Sequence, residues 1–269
     1  MSVDRHVAVF DAHAPHSRGI PALLRFIRAY RPTVLILGGD FMDCQWASHW
    51  NGSLVPKIGE TVISDMYKKD VKATMNLMAE LAAAAGRNCE RIIIPGNHER
   101  WLLDCAIKTP GLIEGLTFRI DPVKLTNKDD LSEHLNRGLA AILRCQLDTV
   151  RTGWRVLPYR EPLDIGKLRY LHGDQFNSPQ SAARKYPGVN LAFGHFHTHD
   201  VNTLPNSGRT GKAVQHVAVP CMTHLAPAYL KDRSTVWLNG FWIADFMAGG
   251  RFDGRVVKVM DGEIIAKGI

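Results

Sequence analysis

The chain has 269 residues, 45% of them hydrophobic, which is enough to bury one substantial core, or one core with a small cap. A formal charge of +7 favours anionic partners such as phosphates or nucleic acid, but no long Lys/Arg block stands out and plain solubility accounts for it equally well. No run has the apolar length of a membrane span. Asp4 and Arg5 lead straight into a strand where a signal peptide would be apolar, and five scattered cysteines without CxxC spacing read as reduced thiols of a cytoplasmic protein, not as zinc ligands.

In chain order, "RHVAVF" reads as a strand, "IPALLRFIRAY" as a helix and "TVLILGG" as a strand. A long helix is expected from about Glu60 to Ala85, with Ile63, Met66, Tyr67, Met75, Met78 and Leu81 at helical spacing. "RIIIPG" is the third strand, and this alternation argues for an α/β sheet with parallel strands. The stretch from about 100 to 152 looks helical. "KLRYLHGD" and "VNLAFGH" are two more strands with a short helix between them. From about 213 onward the chain turns β-rich: "AVQHVAVP", "STVWLNGFWIADF" and "GRVVKVMDGEIIAKG" are consecutive strands, the last a hairpin turning at Asp261-Gly262. We expect a single domain over 1–269 in which two sheets pack together with helices outside.

The strands end in polar clusters. The first delivers Asp11 and His13, the second Asp40 and Asp43, the third Asn97 and His98. Later strands deliver His172 with Asp174, and His195, His197 and His199. Ligands of open α/β sheets bind outside the carboxyl ends of the strands, so these clusters should meet at one edge. Alone, each has a bland account: a surface histidine, a capping Asp, two exposed histidines on an extended segment. Asn97 and Glu99 by themselves look like a helix start, but that leaves His98 unexplained. The conjunction of all five points to oxygen and nitrogen donors for metal ions without thiolates, a set that suits Mn, Fe, Zn or similar divalent ions. The candidate donors exceed what one ion needs, which implies two.

The ordered motifs "DAH", "GDFMD", "GNHE", "HGD" and "GHFH" resemble those of the calcineurin-like metallophosphoesterases, in particular compact bacterial and phage-type members. The resemblance runs from about Asp11 to His197. It implies two packed mixed β-sheets flanked by helices, in four layers. It implies that Asp11, His13 and His197 hold one metal, that Asn97, His172 and His195 hold the other, and that Asp40 bridges them. His98 would act catalytically near the leaving group without being a ligand. Two divalent ions per chain follow, Mn foremost, with Fe, Zn, Ni, Co or Mg as alternatives. On this reading a bridging hydroxide attacks phosphorus and His98 assists the departing oxygen.

Asp43 and Glu99 are expected to orient ligand histidines, with helix-start stabilisation as the other account of Glu99. The loop 44–57 offers Trp46, His49, Trp50 and Asn51 as substrate contacts, unless the tryptophans pack beneath it. His199 is either a phosphate neighbour or solvated. Arg184 and Lys185 are anion contacts or a solvated helix face, and His16 and His224 belong to no usable motif. The expected substrate is a phosphodiester, a nucleotide or nucleic acid, with phosphomonoesters or phosphoproteins as the alternative. A non-catalytic scaffold would lack some of these motif residues, and a purely nucleic-acid-binding module would need charge alone.

Overall fold

The computed structural model describes residues 4–48, 60–109, 111, 128–207, 212–227 and 235–265. Among them the strands form two sheets. The larger contains β1 (Asp4–Val9), β2 (Val34–Leu37), β3 (Glu90–Ile93), β4 (Trp154–Val156), β10 (Asn239–Phe246), β11 (Phe252–Met260) and β12 (Glu263–Ile265), in the order β12-β11-β10-β1-β2-β3-β4. β1 to β4 run parallel, and β10, β11 and β12 join antiparallel on the β1 side. The smaller sheet contains β5 (Leu163–Ile165), β6 (Leu168–Leu171), β7 (Asn190–Phe193), β8 (Asp200–Ser207) and β9 (Lys212–Ala218), in the order β5-β6-β7-β9-β8.

The layering follows from period-two alternation along strands buried on both faces. One side of β1, β2 and β3 carries Ala8, Phe10, Ile36 and Ile92, which pack on Leu168, Tyr170 and Ala192 of the smaller sheet. The opposite side carries Val7, Val9, Leu35, Leu37 and Ile93, which pack on Leu23, Ile27, Leu81 and Leu102 of the helices. The outer face of the smaller sheet buries Leu171, Leu191 and Phe193 against Phe176 and Ala182. A fully buried side chain of this size is worth about 1.5–3 kcal/mol, so the continuous Val/Ile/Leu runs specify the sandwich directly.

The helices are α1 (Ile20–Tyr30), α2 (Glu60–Ala85), α3 (Asn97–Lys108), α4 (Lys128–Gln146), α5 (Thr149–Thr152) and α6 (Ala182–Lys185). The expected bounds of α2 hold, but its buried face differs. Met66 is exposed, and Asp70 and Thr74 take inward positions between Tyr67 and Met78. The expected helical stretch of 100–152 contains α3, α4 and α5, with 110 and 112–127 outside the described residues. The reading "STVWLNGFWIADF" as strand begins too early, since β10 starts at Asn239. The short strands β4 and β5 and the whole of β8 were not expected. β8 contains Pro205 and forms the edge of its sheet, the place where a residue without an N–H is tolerated. The hairpin at Asp261-Gly262 is present, with Met260 paired to Glu263.

Candidate metal centre

The polar strand ends meet where the two sheets abut. β1, β2 and β3 of the larger sheet deliver Asp11 with His13, Asp40, and Asn97 with His98; β6 and β7 of the smaller sheet deliver His172, His195 and His197. The site therefore lies across the carboxyl edges of both sheets. Backbone bonds fix the approach, with Asp11 N–H donating to Gly39 O at 3.0 Å and His13 N–H to Asp40 O at 2.9 Å. Five of these residues sit in the left-handed region: Asp11 (φ 51°), His13 (44°), Asp40 (48°), His195 (74°) and His197 (57°). That region is disfavoured for residues with a Cβ, and such backbone persists where the surroundings over-determine it, commonly at functional sites.

The glycines of the motifs are there for space. A Cβ on Gly96 would lie 2.2 Å from Asp40 Oδ1 and 2.9 Å from His172 Nε2, and one on Gly194 would lie 2.5 Å from Asp11 Oδ2. The carboxylates can reach the cluster only because nothing projects from these positions.

Two groups of donor atoms, each mutually within 4.8 Å, emerge: Asp11, His13 and His197, and Asp40, His172 and His195. A third, His13, Asp40 and His98, links them. Asn97 Oδ1 lies 3.1 Å from His172 Nε2, which is 3.2 Å from Asp40 Oδ2. His172 Nδ1–H donates to Gly38 O at 3.0 Å, so in the neutral ring Nε2 is a lone pair facing two oxygen acceptors. Such a meeting of acceptors requires a cation or an extra proton between them. Burial opposes a charged imidazole there, yet the Asp40 carboxylate outweighs it and pushes His172 up to about 10. In the other group, His13 Nδ1 lies 3.3 Å from Asp43 Oδ1, while Nε2 is buried without a hydrogen-bond partner among the described residues. Asp11 Oδ1 is also without a hydrogen bond, its nearest ionic neighbour being His197 Nε2 at 3.5 Å. Orphaned buried acceptors of this kind fit metal ions of the borderline class that imidazole and carboxylate favour.

Around the donors lies a supporting shell. Glu99 is fully buried and accepts the N–H groups of Asp40 (2.9 Å), Met42 (2.8 Å) and Gly96 (2.7 Å), tying the second and third strand ends together. Burial, with the nearby Asp40 charge adding, raises its carboxyl to about 7. Asp43 holds His13 by its side chain and accepts His98 Nδ1–H at its backbone carbonyl. That bond leaves His98 Nε2 aimed inward, 3.8 Å from Asp40 Oδ2, and burial lowers the pKa of the ring to about 4. His98 packs edge-on to His13 and against Trp101.

Other expected contacts fall elsewhere. Trp46 is buried, donates Nε1–H to Asp70 Oδ2 at 3.0 Å and packs on Tyr67, so it offers no face to a substrate. Trp50, His49 and Asn51 lie outside the described residues. His199 does not line the cleft beside the donors; burial, then the charge of Lys258, lowers its pKa. Arg184 and Lys185 are exposed on α6. Asp174 accepts from Tyr159 (2.6 Å) and Arg160 (2.8 Å), a buried anchor for the segment after His172 that sequence reasoning left without a role. His16, Arg18, His224 and Trp237 line a cleft of about 530 Å³ that also touches His13, His98 and His197. They carry no short motif, and only their convergence in space identifies them.

The chain is thus a two-sheet α/β protein whose Asp/His/Asn cluster suits two ions, as the resemblance to calcineurin-like metallophosphoesterases implies. No protein-family model matches it, and no curated protein matches it. Among solved structures it is similar to a zinc-complexed Vps29 from Entamoeba histolytica (14% identity, 97% of this chain and 96% of that one, TM-score 0.45). It is also similar to a predicted phosphoesterase from Streptococcus pneumoniae (9%, 98% and 97%, TM-score 0.37) and to a dimetal phosphatase from Danio rerio (13%, 96% and 99%, TM-score 0.38). Likenesses at these scores are too loose to carry chemistry, which rests on the chain's own atoms. Among the described residues, no helix is long and apolar enough to cross a membrane.

Proposed function

We propose that the chain is a hydrolase of phosphodiesters, nucleotides or nucleic acid, that depends on two divalent ions, Mn²⁺ first among Fe, Zn, Ni, Co or Mg. The observation that carries the reading is the pair of donor groups, joined where His13 of the first comes within ligand range of Asp40 of the second. Asp11, His13 and His197 would hold one ion, Asn97, His172 and His195 the other, and Asp40 both. Bound there, the ions supply positive charge to polarise phosphoryl oxygens and to lower the pKa of water.

The side chains do the rest. Gly38 O and Asp43 fix the tautomers of His172 and His13, so that each turns an unprotonated Nε2 to the cluster. His98 is held by its Nδ1–H and turns Nε2 to the cluster, so only as the imidazolium, with a second proton on Nε2 facing Asp40, would it deliver a proton or a hydrogen bond to the departing oxygen. A diester brings one negative charge and two substituents, and the cleft beside His98 has room for one of them. The +7 charge of the chain supports an anionic polymer or nucleotide as substrate.

The test compares nitrophenyl phosphate with bis-nitrophenyl phosphate, then cyclic nucleotides and single- and double-stranded DNA, after Mn²⁺ loading and at matched salt. Diester turnover that chelator abolishes and Mn²⁺ restores is expected. Asp40→Asn should lose both ions by metal analysis together with turnover. Full activity in excess EDTA would overturn the metal dependence, and a strong monoester preference without cleavage of any nucleotide diester would overturn the substrate assignment.

A further inference from the structure

We infer that the cleft beside the donor cluster is a nucleotide subsite, in which Trp237 receives the base and Arg18 and His224 receive a second phosphate, distinct from the one at the cluster. The inference rests on the phosphodiesterase reading and adds to it what lies on the far side of the scissile bond.

The walls outside the donor motifs come mainly from two segments, residues 16–18 just after the "DAH" motif and the chain after β9. Arg18 N–H donates to Met222 O at 2.7 Å, and His224 N–H donates to His16 O at 3.1 Å. Asn239 Nδ2 clamps the second segment through Thr223 O at 2.7 Å. Leu238 N–H donates to His197 O at 2.9 Å, which fixes the residue next to Trp237 against the donor cluster. The cleft is therefore built by backbone bonds before any ligand arrives, a condition that lowers the ordering cost of binding.

Its chemistry is two-sided. Trp237 packs on the His197 ring at 4.2 Å between centroids, so it stands beside the cluster and lines the cleft along with Ala226 and Pro227. The opposite character comes from the donors. The Arg18 guanidinium bonds the carbonyls of His16 and Ser17, and no carboxylate pairs with it among the described residues, so its charge remains available. Ala226 N–H donates to His224 Nδ1, which leaves the proton of the neutral ring on Nε2 and makes that atom a donor. An aromatic face and an uncompensated guanidinium with an N–H donor, in one cavity of nucleotide size beside a phosphate-binding cluster, match a base and a flanking phosphate.

The test is equilibrium binding by calorimetry to the full-length, Mn²⁺-loaded protein. The probes are thymidine 5′-monophosphate, thymidine 3′,5′-bisphosphate, ribose 5-phosphate and single-stranded oligothymidylate. The bisphosphate should bind about tenfold more tightly than the monophosphate, as one charge-assisted contact allows. Arg18→Gln should erase that advantage. Trp237→Leu should reduce the preference for the thymidine over the ribose phosphate about five- to hundredfold, the range of one stacked base. Because Trp237 touches His197, Trp237→Phe serves as the conservative rescue, and metal content is measured for every variant. If oligothymidylate shows the same Arg18 dependence as the bisphosphate, the subsite accepts a chain; if only the bisphosphate does, it accepts free nucleotides. Metal-dependent binding of the monophosphate without a bisphosphate advantage, or an advantage that survives Arg18→Gln, overturns the subsite and leaves the hydrolase reading standing. Phosphate binding indifferent to Mn²⁺ overturns both.

Discussion

His98 is the residue whose chemistry separates a phosphoesterase from a protein that merely binds metal. It belongs to a donor group with His13 and Asp40, but its Nδ1 is engaged by the Asp43 carbonyl, and the second group of donors is complete without it. His98→Gln should therefore keep both ions while turnover falls about 10²–10⁴-fold. The loss should shrink for nitrophenolate esters, whose leaving oxygen needs little protonation. Metal analysis beside steady-state rates decides it, and loss of an ion with the histidine would make it a ligand. At this scale the sequence made the convergence of residues legible, while their part in holding metal stays a proposal. Asp11, His13, Asp40, Asn97, His172, His195 and His197 could be named because donor types recur at strand ends in one order. Arg18, His224 and Trp237 could not, because their meaning is positional and their segments meet only in the folded chain. Trp46 was open to two readings for the same reason, and the one in which it packs beneath the surface is the one observed. A tryptophan beside a motif reads alike whether it faces a substrate or Asp70.

Among the elements, two carboxylates act as joints. Glu99, in the first turn of α3, accepts three buried backbone N–H groups from two different strand ends. Removing the acceptor leaves those amides unsatisfied, at about 1–3 kcal/mol each. Glu99→Ala should lower the urea midpoint markedly and weaken metal affinity. Glu99→Gln keeps a carbonyl acceptor and should be milder; equal effects would show that hydrogen bonding is not what Glu99 contributes. Asp70, on the inner face of α2, receives Cys44 N–H and Trp46 Nε1–H at the same oxygen. Burial, opposed by the Trp46 bond, raises its carboxyl from the ordinary 3.8 to about 7. The folded state thus binds the proton more tightly than the unfolded chain. The stability Asp70 contributes is full below about pH 4 and is lost as pH rises towards about 7. Asp70→Asn should flatten that part of the stability-against-pH curve, measured by urea titration, and parallel curves for the two proteins would refute it. The helical period of α2 was readable, but its inner face was not. Periodicity rewards Met66, which is exposed, and ignores Asp70, which is satisfied by partners far along the chain.

Across the whole molecule, the donors of the first group come from β1 and β7, and those of the second from β2, β3, β6 and β7, so each group draws on both sheets. Ions that bind this arrangement and not the unfolded chain stabilise it by mass action, about 2.7 kcal/mol per site at a hundredfold excess over Kd. The thermal midpoint should rise on Mn²⁺ addition and fall with EDTA, and Asp40→Asn should show little of that shift. An unchanged midpoint in a protein confirmed to carry metal would mean that the unfolded chain binds the ions as well as the folded one does, and would refute the linkage. Two sheets with helices outside were expected from the strand runs. The short strands β4 and β5 lacked the length to announce themselves, and β8 was hidden by its proline.

The order in which the donors occur along the chain sets a timetable for synthesis. Asp11 emerges from the ribosome long before His197, yet the two share one ion-sized space, and β9, which pairs with β7, is made later still. Until the segment after β7 has been translated, Asp11 and His13 lack His197, the third member of their donor group. A nascent chain therefore offers passing metal ions no finished cage. Selection among the cell's cations falls to the folded protein and to whichever ion is abundant when folding ends, so the metal recovered with the protein should track the medium in which it was made.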